Sequence, residues 1–310
     1  MSDNNALGKE EKTHSDNHYN SELGTASFGA LCLGVGGMKG ILLLGALHEF
    51  WIRGQLKNLT YYSGSSVGAL IVALLAVGYE PLELLTIMCD PYFTSQFGVL
   101  NFGNLGTLMG LFPHSILRTK LEEIILLKLG YLPTFGDLLK RCNKHIIITA
   151  YCLSEKDPQK SKVYFDPISY PEMSVVEAVI LSCNIPGIFQ RAKWNDKIWI
   201  DGACTSLFPI EALEAICPKH CPILGLMLKG EAVDLDTLAG YFYAIMSIPF
   251  RTCADLRGLR SECQILEISS EKSAKTSVMS SINFSSSNRE KITMFTFAVK
   301  QVQDIIKNLK

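Results

Sequence analysis

After a polar opening, the chain alternates apolar runs of strand length with stretches whose apolar residues recur at helical spacing. Residues 1–26 are polar and mixed in charge, and they predict a disordered arm. Phe28–Leu33 then reads as a strand, Gly34–Gly40 as a turn, and Met38–Trp51 as a helix with Ile41, Leu44, Leu47 and Phe50 at helical spacing. A second unit repeats the same plan. Leu59–Ser63 reads as a strand, Gly64–Gly68 as a sharp turn and Ala69–Val77 as a buried helix. Further strands are predicted at Ile146–Tyr151, Lys162–Phe165, Lys197–Ile200, Ile223–Leu228 and Gln264–Ile268. Helical patterns fall at Ser115–Leu129, Phe135–Lys140, Ser174–Cys183 and Asp234–Arg260.

Strands alternating with helices imply crossover connections. The expected fold is therefore α/β, a mainly parallel central sheet with helices on both faces. Residues 27–310 are expected to form one domain, with its motif-bearing part at 28–209 and a helical completion at 230–310. The final segment, Arg289–Lys310, places Ile292, Phe295, Val299, Val302, Ile306 and Leu309 on one stripe. That stripe predicts a helix capping the core, with a partner-binding helix as the alternative. Ser269–Asn288 is Ser-rich and reads as a loop. Phe93–Phe112 is rich in Gly, Phe and Leu with almost no charge. It reads either as an apolar rim that touches lipid, around Phe97, Leu100 and Leu105, or as a buried irregular segment.

Composition narrows the function classes. At 310 residues and 48% hydrophobic, the chain can bury a large core. A formal net charge of −1 with no long basic run gives no electrostatic footprint for nucleic acid. Ten cysteines spread along the chain read as small core residues rather than a disulfide framework. No apolar leader is evident at the N-terminus, and the apolar stretch around Ala69–Val77 is too short to span a bilayer. A reducing, cytoplasmic setting is the expectation.

The chemistry concentrates at turns. Gly64-Ser65-Ser66-Val67-Gly68 has the form G-x-S-x-G between an apolar strand and an apolar helix. That context suits a nucleophile at a strand-to-helix turn, with flanking glycines removing Cβ atoms that would clash in the bend. A purely structural glycine turn is the competing reading. Ser65 occupies an x position and should point elsewhere. Upstream, Gly34-Val35-Gly36-Gly37-Met38-Lys39-Gly40 also links a strand to a helix. Its N–H groups can cradle a phosphate or receive the oxyanion of an acyl-transfer intermediate. The spacing fits no phosphate-loop pattern, and the serine downstream favours the oxyanion. Lys39 reads as a solvated or ion-paired helix residue.

A serine nucleophile needs a base. His220 is the only histidine after Asp201, and it lies in the loop Cys217-Pro-Lys-His-Cys221-Pro. It reads as a surface residue, with a Ser–Asp–His triad as the alternative. Cys217, His220 and Cys221 lack the second ligand pair of a zinc site. Neither a metal nor an organic cofactor is expected. Asp201 ends the apolar strand Lys197–Ile200 and is followed by Gly202-Ala203. A desolvated carboxylate there can take a serine proton directly. A turn aspartate is the plainer alternative.

In this order, Gly36-Gly37-Met38-Lys39-Gly40, Gly64–Gly68 and Asp201-Gly202-Ala203 resemble the marks of the patatin-like phospholipases. The helix and Pro-containing turn Ser174–Phe189 are also similar to the segment before that family's Asp strand. The likeness runs from about Phe28 to Pro209. It implies a Ser66–Asp201 dyad acting without histidine, with an oxyanion hole at Gly36, Gly37 and Met38. Gly34, Lys39, Gly40, Gly64, Gly68, Gly202 and Ala203 would support the motifs. The substrate it implies is a phospholipid or other acyl lipid, met at a membrane surface. One departure stands out. The family's turn usually begins Asp-Gly-Gly-Gly, whereas here it begins Gly34-Val35-Gly36-Gly37, which leaves a catalytically silent lipid-binding protein on the same fold as the alternative.

Overall fold

The structure is a computed structural model, and it describes residues 19–91, 103–229, 262–270 and 286–309. Its strands are β1 (Ala30–Leu33), β2 (Tyr61–Ser65), β3 (Gly110–Phe112), β4 (His145–Cys152), β5 (Lys162–Phe165), β6 (Gly187–Phe189), β7 (Ala192–Trp194), β8 (Lys197–Asp201), β9 (Ile223–Leu228) and β10 (Cys263–Ile268). Its main helices are α1 (Gly40–Ile52), α2 (Val67–Val77), α3 (Pro81–Cys89), α4 (His114–Leu129), α5 (Phe135–Cys142), α6 (Val175–Ser182), α7 (Ile210–Ile216) and α8 (Asn288–Asn308).

The central sheet runs β10-β9-β1-β2-β4-β8-β7, with β5 also paired to β4. Every pair from β10 to β4 is parallel. β8 joins β4 antiparallel, and β7 and β5 are antiparallel as well. The fold is thus mixed α/β with a mostly parallel sheet. Successive side chains of a strand point to opposite faces, so β1 feeds two separate cores. Leu31 and Leu33 enter the larger apolar cluster with α1, α2 and α6. Ala30 and Cys32 enter a smaller one with Phe208, Ile210 and Leu213 of the α7 region. α2, Val-Gly-Ala-Leu-Ile-Val-Ala-Leu-Leu-Ala-Val, is apolar all round and is almost wholly buried.

Chain order changes direction at β1: β2 lies on one side of it and β9 on the other. In open α/β sheets, such a switch point leaves a crevice at the C-terminal strand ends. Both glycine turns lie there, one after β1 and one after β2.

Several expectations shift. Residues 19–26, placed in the polar arm, are tied to the core. Leu23 is fully buried, and Gln55 Nε2 donates to the carbonyls of Leu23 (2.8 Å) and Ala26 (2.9 Å). β2 runs through Ser65, so the bend is confined to Ser66. The C-terminal stripe is rotated: Ile292 is 52% exposed, while Lys291, Phe295, Ala298, Val302 and Ile306 are buried. Lys291 Nζ reaches the carbonyl of Met88 at 2.8 Å, and Asn288 Nδ2 that of Cys89 at 2.8 Å. α8 therefore caps the end of α3, whose last carbonyls have no partner within their own helix. Of Phe93–Phe112, residues 93–102 lie outside the described residues, as do Asp234–Arg260 and most of Ser269–Asn288. The remainder is not irregular: it forms a short helix at Asn104–Leu108 and then β3.

Candidate active site

Ser66 sits between β2 and α2 with φ 56° and ψ −128°. A residue other than glycine at this φ is strained, and such strain persists only where its surroundings enforce it. Three contacts do so. The Ser66 N–H donates to Ser182 Oγ at 3.0 Å, its carbonyl accepts from Cys183 Sγ at 3.1 Å, and the Leu70 N–H donates to the same carbonyl at 3.2 Å. Close packing adds a further constraint. A Cβ on Gly68 would lie 2.5 Å from the carbonyl oxygens of both Leu33 and Gly34, so only glycine lets α2 start against the end of β1. The result aims Ser66 Oγ out of the strand end, at the positive end of an apolar helix.

β4 brings the aspartate to it. Ser65 is paired with Thr149, and Asp201 with Ala150, the next residue of β4. Where β2 ends in the bend, β8 arrives from the opposite direction. Gly202 packs so closely behind it that a Cβ there would lie 2.9 Å from Ser65 Oγ. Across this junction Ser66 Oγ donates to Asp201 Oδ2 at 2.7 Å. Asp201 Oδ1 accepts the Ala203 N–H at 2.8 Å, and the Asp201 N–H donates to the Asn184 carbonyl at 2.9 Å. Asp201 is 2% exposed. Burial pushes its carboxyl up to about 7, against the opposing pull of the Ala203 N–H and the Ser66 hydroxyl. Ser65 points elsewhere, as expected, and its buried hydroxyl has no hydrogen-bond partner among the described residues.

The turn after β1 is fixed from both sides. The Gly34 N–H donates to Leu226 of β9 at 2.9 Å, and that of Val35 to Leu207 at 3.1 Å. A short 3₁₀ turn, Gly37–Lys39, then leads into α1. Its hydrogen-bonded ladder begins with the N–H groups of Lys39 and Gly40. The N–H groups of Gly37 and Met38 precede that ladder. Gly37 has φ 53°, a conformation suited to glycine. Lys39 is 8% exposed, so it is buried rather than solvated. Gly40 packs on Val67: a Cβ at Gly40 would lie 2.6 Å from Val67 Cγ2, which joins the first turn to the second.

Sequence reasoning missed a polar layer behind the Ser66–Asp201 pair. Asn184 Nδ2 donates to the Trp199 carbonyl at 2.7 Å, which turns Asn184 Oδ1 toward His114 Nε2 at 3.0 Å. That oxygen can only accept, so His114 carries its proton on Nε2. Burial holds the His114 imidazole below its usual range. The run Ser182-Cys183-Asn184 at the end of an apolar helix was the available signal, since buried polar groups there need partners. His220 is elsewhere. Its side chain is 94% exposed, with Nδ1 3.5 Å from Glu262 Oε1. No group of three or more possible metal ligands occurs among the described residues.

The family model described as Patatin-like phospholipase matches residues 31–214, and the chain belongs to that family. A protein of Invertebrate iridescent virus 6 described as a probable lipid hydrolase is 29% identical over 208 residues, covering 63% of this chain and 66% of that one. An uncharacterised protein of Acanthamoeba polyphaga mimivirus is 27% identical over 188 residues, covering 58% of this chain and 59% of that one. The chain thus spans less than two thirds of the length of these curated relatives. Among solved structures, the heterodimeric ExoU–SpcU complex from the type III secretion system of Pseudomonas aeruginosa is similar in fold. The TM-score is 0.50 and the identity 19%, over 92% of this chain and 52% of that one.

Proposed function

We propose that this protein is a lipid acyl hydrolase in which Ser66 is the nucleophile and Asp201 its base. The observation that carries the reading is the 2.7 Å hydrogen bond from Ser66 Oγ to a buried Asp201 carboxylate. Asp201 takes the hydroxyl proton as Ser66 Oγ attacks the ester carbonyl carbon. The carbonyl oxygen becomes an oxyanion held by backbone N–H groups of Gly36, Gly37 and Met38. Collapse expels the alcohol, which recovers the proton from Asp201, and leaves an acyl-Ser66 ester. Asp201 next takes a proton from water. The resulting hydroxide attacks the acyl carbon, and the proton returns to Ser66 as the fatty acid departs.

No step in this scheme needs a histidine, a metal or an organic cofactor. Membership of the patatin-like phospholipase family, and the viral relative described as a probable lipid hydrolase, support phospholipid or another acyl lipid as substrate. Catalysis would take place at a membrane surface, with the protein itself cytoplasmic. No helix among the described residues is long and apolar enough to cross a membrane. Val35 replaces a glycine of the usual family turn. Its N–H is tied to Leu207, which keeps it out of the role assigned to its neighbours.

The test is release of fatty acid from mixed phospholipid vesicles by the wild type, Ser66→Ala and Asp201→Asn. The two variants are expected to lose activity by about a thousandfold or more. Release by Ser66→Ala at the wild-type rate would end the proposal.

A further inference from the structure

A cavity of about 530 Å³ opens beside the dyad's supporting layer, with His114, Arg118, Glu177, Arg191 and Lys193 among the residues lining it. Its walls are well defined. The backbone of the 187–191 segment is tied to that of 108–112, with the Arg191 N–H donating to the Leu108 carbonyl at 3.0 Å and the Gln190 N–H to that of Phe112 at 2.8 Å. The rim carries exposed apolar side chains, Leu108 and Met109. α6 is shared between cavity and dyad: it presents Glu177 to the cavity and Ser182 to Ser66.

The charges do not balance. Arg118 Nη2 is paired with Glu177 Oε2 at 2.6 Å. Arg191 Nη1 donates to the Met109 sulfur at 3.6 Å. Among the described residues, neither Arg191 nor Lys193 has a carboxylate within salt-bridge distance. The lining therefore presents two uncompensated cations, one of them a guanidinium suited to forked hydrogen bonding with an oxyanion. A phosphate monoester carries about 1.5 to 2 negative charges and three acceptor oxygens. Its charge matches that of these two groups. The volume exceeds that of a bare ion and lies in the range of cavities that take organic ligands.

We infer that this cavity binds a phosphate group through Arg191 and Lys193, carried either by a lipid headgroup or by free phosphate. The inference goes beyond the hydrolase reading and does not depend on it.

The experiment uses the full chain carrying Ser66→Ala, so that binding is read without turnover. Inorganic phosphate is titrated by calorimetry. Vesicles of phosphatidylcholine, with and without phosphatidate, are tested by co-sedimentation. Each measurement is repeated with Arg191→Glu plus Lys193→Glu, and with the charge-conserving pair Arg191→Lys plus Lys193→Arg. Both positions are exposed, so these variants should fold, and a matched melting temperature verifies it. Affinity for the phosphate-bearing probe should fall about tenfold or more on charge reversal and largely survive the conservative exchange. Binding of phosphatidate vesicles alone assigns the site to a headgroup, and binding of inorganic phosphate assigns it to the free anion. If neither probe binds, or if charge reversal leaves binding unchanged, the inference is overturned. With Ser66 restored, hydrolysis of a soluble short-chain ester by the charge-reversed protein separates this failure from failure of the dyad.

Discussion

Ser66 and Asp201 lie 135 positions apart in the chain, yet their side chains meet at 2.7 Å because β4 pairs with both of their strands. Thr149 faces the residue before Ser66, and the adjacent Ala150 faces Asp201. This contact is thus a product of strand register. Its parts come from one parallel and one antiparallel neighbour of the same strand.

This geometry sets a pH dependence. In the proposed mechanism Asp201 acts as base only when ionised, and its burial puts that transition at about 7. kcat/KM for a soluble ester should rise as pH increases from 5 to about 8 and then level, with one acid limb. A limb near the ordinary carboxylate value of 3.8 would mean that burial does not raise the carboxyl of the group acting as base.

Stability should run the other way. The folded-state pKa of Asp201 is raised from 3.8 to about 7, so the folded chain holds this proton more tightly than the unfolded one. The stabilising contribution is complete below about pH 4 and is lost as pH rises through 7, at up to about 1.4 kcal/mol for each intervening unit. Asp201→Asn keeps the acceptor for the Ala203 N–H without the buried charge. Its melting temperature should therefore exceed that of the wild type at pH 8, and the difference should shrink at pH 5.

Gly68→Ala should destabilise the protein. The new methyl would sit 2.5 Å from two backbone oxygens, neither of which can rotate away. Overpacking of this kind costs about 1–3 kcal/mol, and rigid backbone on both sides places this case at the upper end. Urea unfolding should show the midpoint fall. An unchanged midpoint would mean that β1 and α2 are not in such close contact.

The histidines should separate cleanly. His220→Ala should leave ester hydrolysis within about twofold of wild type, because the residue is 94% exposed and away from the dyad. His114→Ala removes the donor to Asn184 Oδ1, leaving a buried acceptor unpaired at a cost of about 1–3 kcal/mol. Denaturant midpoints and ester kinetics on both variants test this contrast. Loss of several orders of magnitude in His220→Ala would instead favour a triad.

Much of the fold and the site is legible in the sequence because the determinants are local. The Gly64–Gly68 bend, the glycine turn after β1 and the apolar run before Asp201 each sit within a few residues, and their patterns predict element and position together. What escapes depends on distant partners. β3, β6 and β7 are three residues each, too short for alternation to register. The antiparallel entry of β8 is a property of its pairing with β4, not of its own composition. Nothing local marks Lys291 as buried, and it is buried because the end of α3 needs donors. Ser182, Asn184 and His114 go unassigned for the same reason. Their roles come from a hydrogen-bond layer assembled from α4, the end of α6 and β8.

The dyad is tested most simply by labelling the wild type with an alkyl fluorophosphonate and mapping the adduct by mass spectrometry. The adduct should fall on Ser66, disappear in Ser66→Ala, and form about a hundredfold or more slowly in Asp201→Asn. An adduct on another residue, or labelling of Asp201→Asn at the wild-type rate, would rule out a Ser66 nucleophile activated by Asp201.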